Sequence, residues 1–230
     1  MRWYIMKYKA VSILAGGLMA SLMSFSAVAE DSMNVKISPK LDSVGVVHMG
    51  DRITIQRDQD KGHTIPKLYS KTSRSCPPFC IQPGVAAPGV ETIAELEMLD
   101  YVKQASTDNS VIVIDSRTSD WVARGTIPGS VNIPWTDLSV AGKGAWEESE
   151  DAPTATDVMK DRFGVKGDED KLDFSDAKTL VFFCNGSWCH QSTVNIRSLV
   201  KKGYPANKIK WYRGGMQSWV TLGLTTVPPQ

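Results

Sequence analysis

An excess of charge of either sign is missing from this 230-residue chain: 26 Lys and Arg stand against 25 Asp and Glu, a formal net charge of +1. That balance gives no electrostatic basis for binding nucleic acid or another polyanion. Cysteine is scarce, with four residues, and histidine scarcer, with three. The cysteines fall as two distant pairs, Cys76/Cys80 and Cys184/Cys189, without C-x2-C spacing. Even with His190 they make no zinc signature, and no metal is expected. His48 and His63 have no acidic or thiol neighbours at a useful spacing and receive no role. Internal repeats and low-complexity tracts are absent. Past the N-terminal segment, no apolar run approaches the ~20 residues that span a bilayer, so no membrane association is expected after that segment is removed.

The N-terminus itself carries Arg2, Lys7 and Lys9 before an apolar stretch at residues 10–23, and then Ala27-Val28-Ala29. Basic residues, a short apolar core and a small-residue cleavage site describe a secretory signal over residues 1–29. The expected product is exported, most simply to a bacterial periplasm. In an oxidising space Cys76 and Cys80 are candidates for a disulfide, and closing so small a loop contributes about 2 kcal/mol in the chain-entropy model. An alternative is that one of them approaches Cys184 as a redox partner.

Residues 30–88 read as a β-rich extension ending in a Pro- and Cys-containing linker, with short strands expected at 35–37, 44–47 and 52–57. Residues 89–230 then alternate helices and strands. A helix is expected at 91–104, with Ile93, Leu96 and Leu99 on one side, followed by strands at 111–115 and 130–133 and a helix at 154–163. A strand at 180–184, a helix at 192–202, a strand at 209–212 and a helix at 216–222 complete the order. Alternation of this kind predicts an α/β fold, a parallel sheet with helices on both faces. Residues 142–151 form a Gly- and acid-rich insertion, expected as a surface loop.

Cys184 carries the chemistry. It closes the strand-forming run Thr179-Leu180-Val181-Phe182-Phe183 and opens the loop Asn185-Gly186-Ser187-Trp188-Cys189-His190-Gln191 before a helix. A thiol at the carboxyl end of a buried strand, facing a helix N-terminus, is where an α/β protein places a nucleophile. Loop amides and the helix dipole both favour an anion there, so an accessible thiolate ringed by main-chain donors is expected. A thiol of pKa about 8.5 is only about 3% ionised at pH 7, and a shift to about 6.5 ionises roughly three quarters of it. The bland alternative is a buried structural cysteine.

Three segments in this order resemble the rhodanese family of sulfurtransferases. The first is Val111-Ile112-Val113-Ile114-Asp115-Ser116-Arg117, with Trp121 and Gly125-Thr126-Ile127-Pro128-Gly129-Ser130-Val131-Asn132-Ile133-Pro134. The second is the strand, Cys184, loop and helix. The third is Tyr212-Arg213-Gly214-Gly215-Met216-Gln217-Ser218-Trp219 with Gly223. The resemblance implies a rhodanese-like sheet and ping-pong transfer of sulfane sulfur. Cys184 would take sulfane sulfur from a small anion such as thiosulfate, hold it as a persulfide among the loop residues 185–190, and pass it to a thiophilic acceptor, such as a thiol or a periplasmic acceptor protein. No cofactor is implied. Asp115, Arg117 and Arg213 are candidate supporting residues, with a structural clamp favoured over substrate contact for Arg117.

The departures matter too. The loop is longer than in simple relatives, which predicts a wider pocket. Relatives with enlarged loops that act on phosphate or arsenate carry Cys-x5-Arg, and here the sixth position after Cys184 is His190, which removes the guanidinium fork that phosphate chemistry uses. His190 either attracts an anionic donor when protonated or caps the loop. Cys189 either resolves the persulfide, as the partner of Cys184 in a redox pair, or is inert beside Trp188. Three functions therefore stay open: a sulfurtransferase, a thiol–disulfide enzyme using Cys184 and Cys189, and a binding module on the same fold.

Overall fold

Alternating apolar residues Val44 and Val46 open the molecule's first strand, β1 (Ser43–His48), which the Met49-Gly50 turn folds back onto β2 (Asp51–Gln56) in an antiparallel hairpin. The computed structural model describes residues 35–139 and 154–228. The expected signal segment and the acid-rich insertion lie outside them. The expected strand at 35–37 does not form. Ser38 and Leu41 exchange backbone hydrogen bonds of 3.0 and 3.1 Å around Pro39, and the local turn leaves the segment outside any sheet.

The chain continues through β3 (Glu91–Ile93), α1 (Glu95–Ala105), β4 (Val111–Asp115), α2 (Ser119–Val122), β5 (Val131–Asn132) and α3 (Trp135–Leu138). After them come α4 (Ala155–Arg162), a small hairpin β6 (Lys166–Asp168) and β7 (Lys171–Asp173), β8 (Thr179–Phe183), α5 (Gln191–Lys201), β9 (Ile209–Tyr212) and α6 (Gly215–Thr221). Five strands make one parallel sheet in the order β3-β9-β8-β4-β5. This is the α/β architecture expected from the alternation of apolar runs. The expected helix at 91–104 is corrected at its start, because residues 91–93 pair with Lys210, Trp211 and Tyr212 at the sheet edge. The Glu97 carboxylate accepts the Ala94 amide and starts α1 one turn later. Met98, Leu99 and Val102 form its buried face, and Leu96 points to solvent.

Successive side chains of a strand face opposite sides, and β8 shows the consequence. Leu180 and Phe182 pack with α4 and α5 residues Met159, Ile196 and Leu199, and Val181 and Phe183 pack with α1 and α6 residues Met98, Val102 and Trp219. All of these side chains are buried. A strand buried on both faces reads as an unbroken apolar run, as Leu180-Val181-Phe182-Phe183 does before Cys184. The β1–β2 hairpin joins the second layer through Val44, Val46 and Ile55, so the N-terminal strands share a core with the sheet. Among the described residues no helix is long and apolar enough to cross a membrane.

Candidate active site

The carboxyl ends of β4 and β8 lie side by side, with Asp115 opposite Phe183 in the register. Asp115 and Arg117 therefore stand next to the turn that begins at Cys184. Both are fully buried. The Arg117 guanidinium grips Asp115 through Nε at 2.9 and 3.1 Å and Nη2 at 2.6 Å, and Nη2 also donates to the Gly125 carbonyl at 2.7 Å. Thr126 Oγ1 donates to Asp115 at 2.7 Å. Burial opposes the guanidinium charge, but Asp115 outweighs it and holds the Arg117 pKa above its ordinary value. Arg117 is thus a sealed clamp whose positive charge still acts on the Cys184 sulfur.

Around Cys184 the loop folds inward. The Ser192 amide, in the first turn of α5, and the Gly186 amide lie near enough to the sulfur to favour its anion. The Ser192 hydroxyl donates to Sγ at 3.3 Å while accepting from Trp211 Nε1 at 3.1 Å, which leaves its proton to point at the thiol. The neutral thiol donates to the Cys189 carbonyl at 3.3 Å. Burial pushes the Cys184 pKa up, yet hydrogen bonds from the Cys189 thiol, from the Ser192 hydroxyl and amide and from the Gly186 amide prevail and lower it to about 7. Cys189 behaves in the opposite sense. Burial, and the hydrogen bond it can give the Cys184 thiolate, push its pKa well up, so it stays a thiol; while Cys184 is neutral, Cys189 Sγ donates instead to Gln191 Oε1 at 3.5 Å.

The expectation of an accessible sulfur ringed by main-chain donors is thereby corrected. Cys184 is 2% exposed, and side-chain donors share the work with the two amides. The extra length of the loop carries Trp188, which packs down over the linker and α6. Its Nε1 donates to Gln217 Oε1 at 2.5 Å, and its ring meets Phe79 edge-on at 5.5 Å between centroids. A large groove of about 1320 Å³ lies elsewhere, lined by Gln56, Asp58, Tyr69, Met216 and Leu224 among others, with no residue of the 184–190 loop.

The remaining candidates divide. Asn185 is buried in the turn, and its carbonyl accepts the Gln217 amide at 2.9 Å. The Ser187 carbonyl accepts the Gln82 amide at 2.8 Å. His190 is half-buried, packs edge-on against Trp135 at 5.4 Å, and burial lowers its pKa, so it is neutral near pH 7 and cannot supply the cation for an anionic donor. Arg213 does not reach the loop. It donates to the carbonyls of Gln82 and Pro83 at 2.8 and 3.2 Å and pins the linker in place. Cys76 and Cys80 are disulfide-bonded to each other, which leaves neither free to act as a thiol partner of Cys184. Among the described residues no group of three or more His, Cys, Asp or Glu is placed to hold a metal.

Two residues with a direct hand in the site, Ser192 and Trp211, were not singled out by sequence reasoning. Ser192 and Trp211 act as a donor relay, and Gly215 supports the loop from behind. Its φ is +55°, and a Cβ there would stand 2.3 Å from the Cys184 carbonyl oxygen and 2.8 Å from the Gly186 amide. The bare backbone lets the Met216 amide bond the Cys184 carbonyl at 3.0 Å. The paired glycines at 214 and 215 were a visible signal of close backbone approach, but only the fold shows what is approached.

A family model described as a rhodanese-like domain matches residues 98–222, which include Asp115, Arg117, the whole loop and the Gly214-Gly215 turn. The chain belongs to the rhodanese-like family. Solved structures similar to this rhodanese-like chain include a protein of unknown function from Rhodopseudomonas palustris titled a possible tyrosine phosphatase. It is 19% identical, with 62% of this chain and 88% of that one covered and a TM-score of 0.41. The human single-domain sulfurtransferase is 20% identical over 57% of this chain and 96% of that one, with a TM-score of 0.35. A rhodanese-related protein from Thermoplasma volcanium is 17% identical over 60% and 99%, with a TM-score of 0.33. No curated protein matches the chain. The family assignment rests on the family model.

Proposed function

We propose that this rhodanese-like protein is a sulfurtransferase in which Cys184 carries sulfane sulfur as a persulfide. The observation that supports this reading best is the donor set on Sγ, which brings a buried thiol to a pKa of about 7 without a neighbouring base. About half of such a thiol is ionised at neutral pH. The thiolate attacks the outer sulfur of a donor such as thiosulfate. The S–S bond of the donor breaks, sulfite leaves with the electron pair, and the sulfur remains on Cys184 as a persulfide anion. The same amides and hydroxyl that stabilise the thiolate face the new charge. A thiophilic acceptor, such as cyanide, a thiol or a partner protein, then attacks the terminal sulfur and regenerates the thiolate.

A second reading has its own observation. Burial and hydrogen bonding set the two thiols apart, Cys184 lowered and Cys189 raised, which is the asymmetry of an attacking and a resolving cysteine in a thiol–disulfide enzyme. We place the protein in the periplasm, on the strength of the N-terminal sequence and of a Cys76–Cys80 bond that suits an oxidising compartment. Turnover of thiosulfate with cyanide, measured for the wild type, Cys184→Ser and Cys189→Ser, tests the proposal. A sulfurtransferase loses activity only with Cys184→Ser. Loss with either substitution, together with turnover of a disulfide substrate, favours the redox pair. Inactivity of the wild type in both assays overturns both.

A further inference from the structure

The 184–190 loop contains no Lys or Arg, and His190 is neutral, so no side chain of the loop brings positive charge to a doubly charged donor. The nearby guanidiniums are committed: Arg117 to Asp115 and Arg213 to two linker carbonyls. Among the described residues, a further cation lies against the loop, and it comes from the segment before the family-matched one. The Arg74 guanidinium lies 4.1 Å from the centre of the Trp188 ring and 5.4 Å from that of Phe79. Its Nη2 donates to the Leu68 carbonyl at 3.2 Å, while its Nε is buried without an acceptor among the described residues.

The segment that carries Arg74 is fixed to the loop at several points. Gln82 donates its amide to the Ser187 carbonyl, and the Tyr69 carbonyl accepts Gln217 Nε2 at 3.2 Å, the same Gln217 that holds Trp188. The Cys76–Cys80 bond closes the short loop that presents Phe79 to Trp188. A guanidinium held over an aromatic face keeps its charge and offers its remaining N–H groups in a fixed fork, the arrangement that suits a sulfur oxyanion.

We propose that Arg74, delivered from outside the family-matched segment and seated on Trp188, is the residue that recognises the anionic sulfur donor at the mouth of the Cys184 site. This rests on the proposed function for what the anion is, and on geometry for where it binds. Arg74 takes the oxyanion end of the donor, the outer sulfur turns toward Cys184, and the selectivity of the site for anionic over neutral donors resides in this side chain.

The test uses the mature chain with its disulfide intact and the variants Arg74→Gln and Arg74→Lys. Steady-state kinetics compare thiosulfate with a neutral organic trisulfide. Arg74→Gln is expected to raise KM for thiosulfate about tenfold or more, the size of one charge-assisted hydrogen bond, with kcat little changed and the trisulfide unaffected. Arg74→Lys recovers part of the loss. Equal effects on both donors, or none on thiosulfate, overturn the proposal in favour of a packing role. A binding measurement separates it from the proposed function: calorimetry of thiosulfate with Cys184→Ser, with and without Arg74→Gln, in proteins matched for thermal unfolding. Weakened binding in the double variant supports Arg74 even if the wild type transfers no sulfur, and binding that is absent or unchanged refutes it.

Discussion

Replacing Ser192 with Ala removes one donor from the Cys184 sulfur and leaves the amides of Gly186 and Ser192 in place. The hydroxyl sits 3.3 Å from Sγ and is oriented by Trp211 Nε1. A hydrogen bond to a charged acceptor contributes about 1.5–3 kcal/mol, and a long contact to sulfur belongs at the low end, about 1.5 kcal/mol. That corresponds to about one pKa unit, so the thiol moves from about 7 to about 8. The direction is fixed by the chemistry: the reactive form is the thiolate, and activity is lost as pH falls through the pKa. At pH 7 the ionised fraction drops from about half to about a tenth, a fivefold loss of rate that disappears near pH 9. The pH dependence of Cys184 alkylation, followed by mass spectrometry, reads this directly. An unshifted profile in Ser192→Ala, or a loss of rate equal at every pH, would refute the reasoning. The variant also leaves the buried Trp211 indole without its acceptor, which costs about 1–3 kcal/mol of stability in urea unfolding.

Gly215→Ala forces a Cβ against the Cys184 carbonyl in a left-handed backbone conformation, and a stability loss of about 2–3 kcal/mol, or failure to fold, is expected from denaturant titration. Arg117→Met leaves the Asp115 carboxylate buried without its partner and is expected to cost about 3–5 kcal/mol, with Asp115→Asn in the same chain recovering part of it. Replacing Cys76 and Cys80 together by Ser removes the constraint on a small loop and is expected to lower stability by about 2 kcal/mol, with Trp188 fluorescence shifted as Phe79 loosens.

The sheet was legible because β4 and β8 are buried on both faces and so read as apolar runs, and β9 is apolar apart from Lys210. Short polar elements were not. The β6–β7 hairpin, largely exposed, carries no apolar period, and β3 has three residues whose strand character comes from pairing with β9 rather than from their own composition. At the site, position and type marked Cys184, since a thiol after an apolar strand is a local pattern. Its burial, its side-chain donors and the roof over it were hidden because each depends on residues far away in sequence. Ser192 matters through Trp211, and Trp188 through Gln217, Phe79 and Arg74. The linker looked like a spacer because its prolines and cysteines signal turns, whereas what it contributes is set by the loop it covers.

The most direct measurement of the central claim is the intact mass of the protein after incubation with thiosulfate and removal of excess donor, followed by peptide mapping. The account predicts a gain of one sulfur atom, located on Cys184, released by cyanide and forming more slowly as pH is lowered below 7. No adduct on wild-type protein, or an adduct on Cys189 that persists in Cys184→Ser, would contradict it.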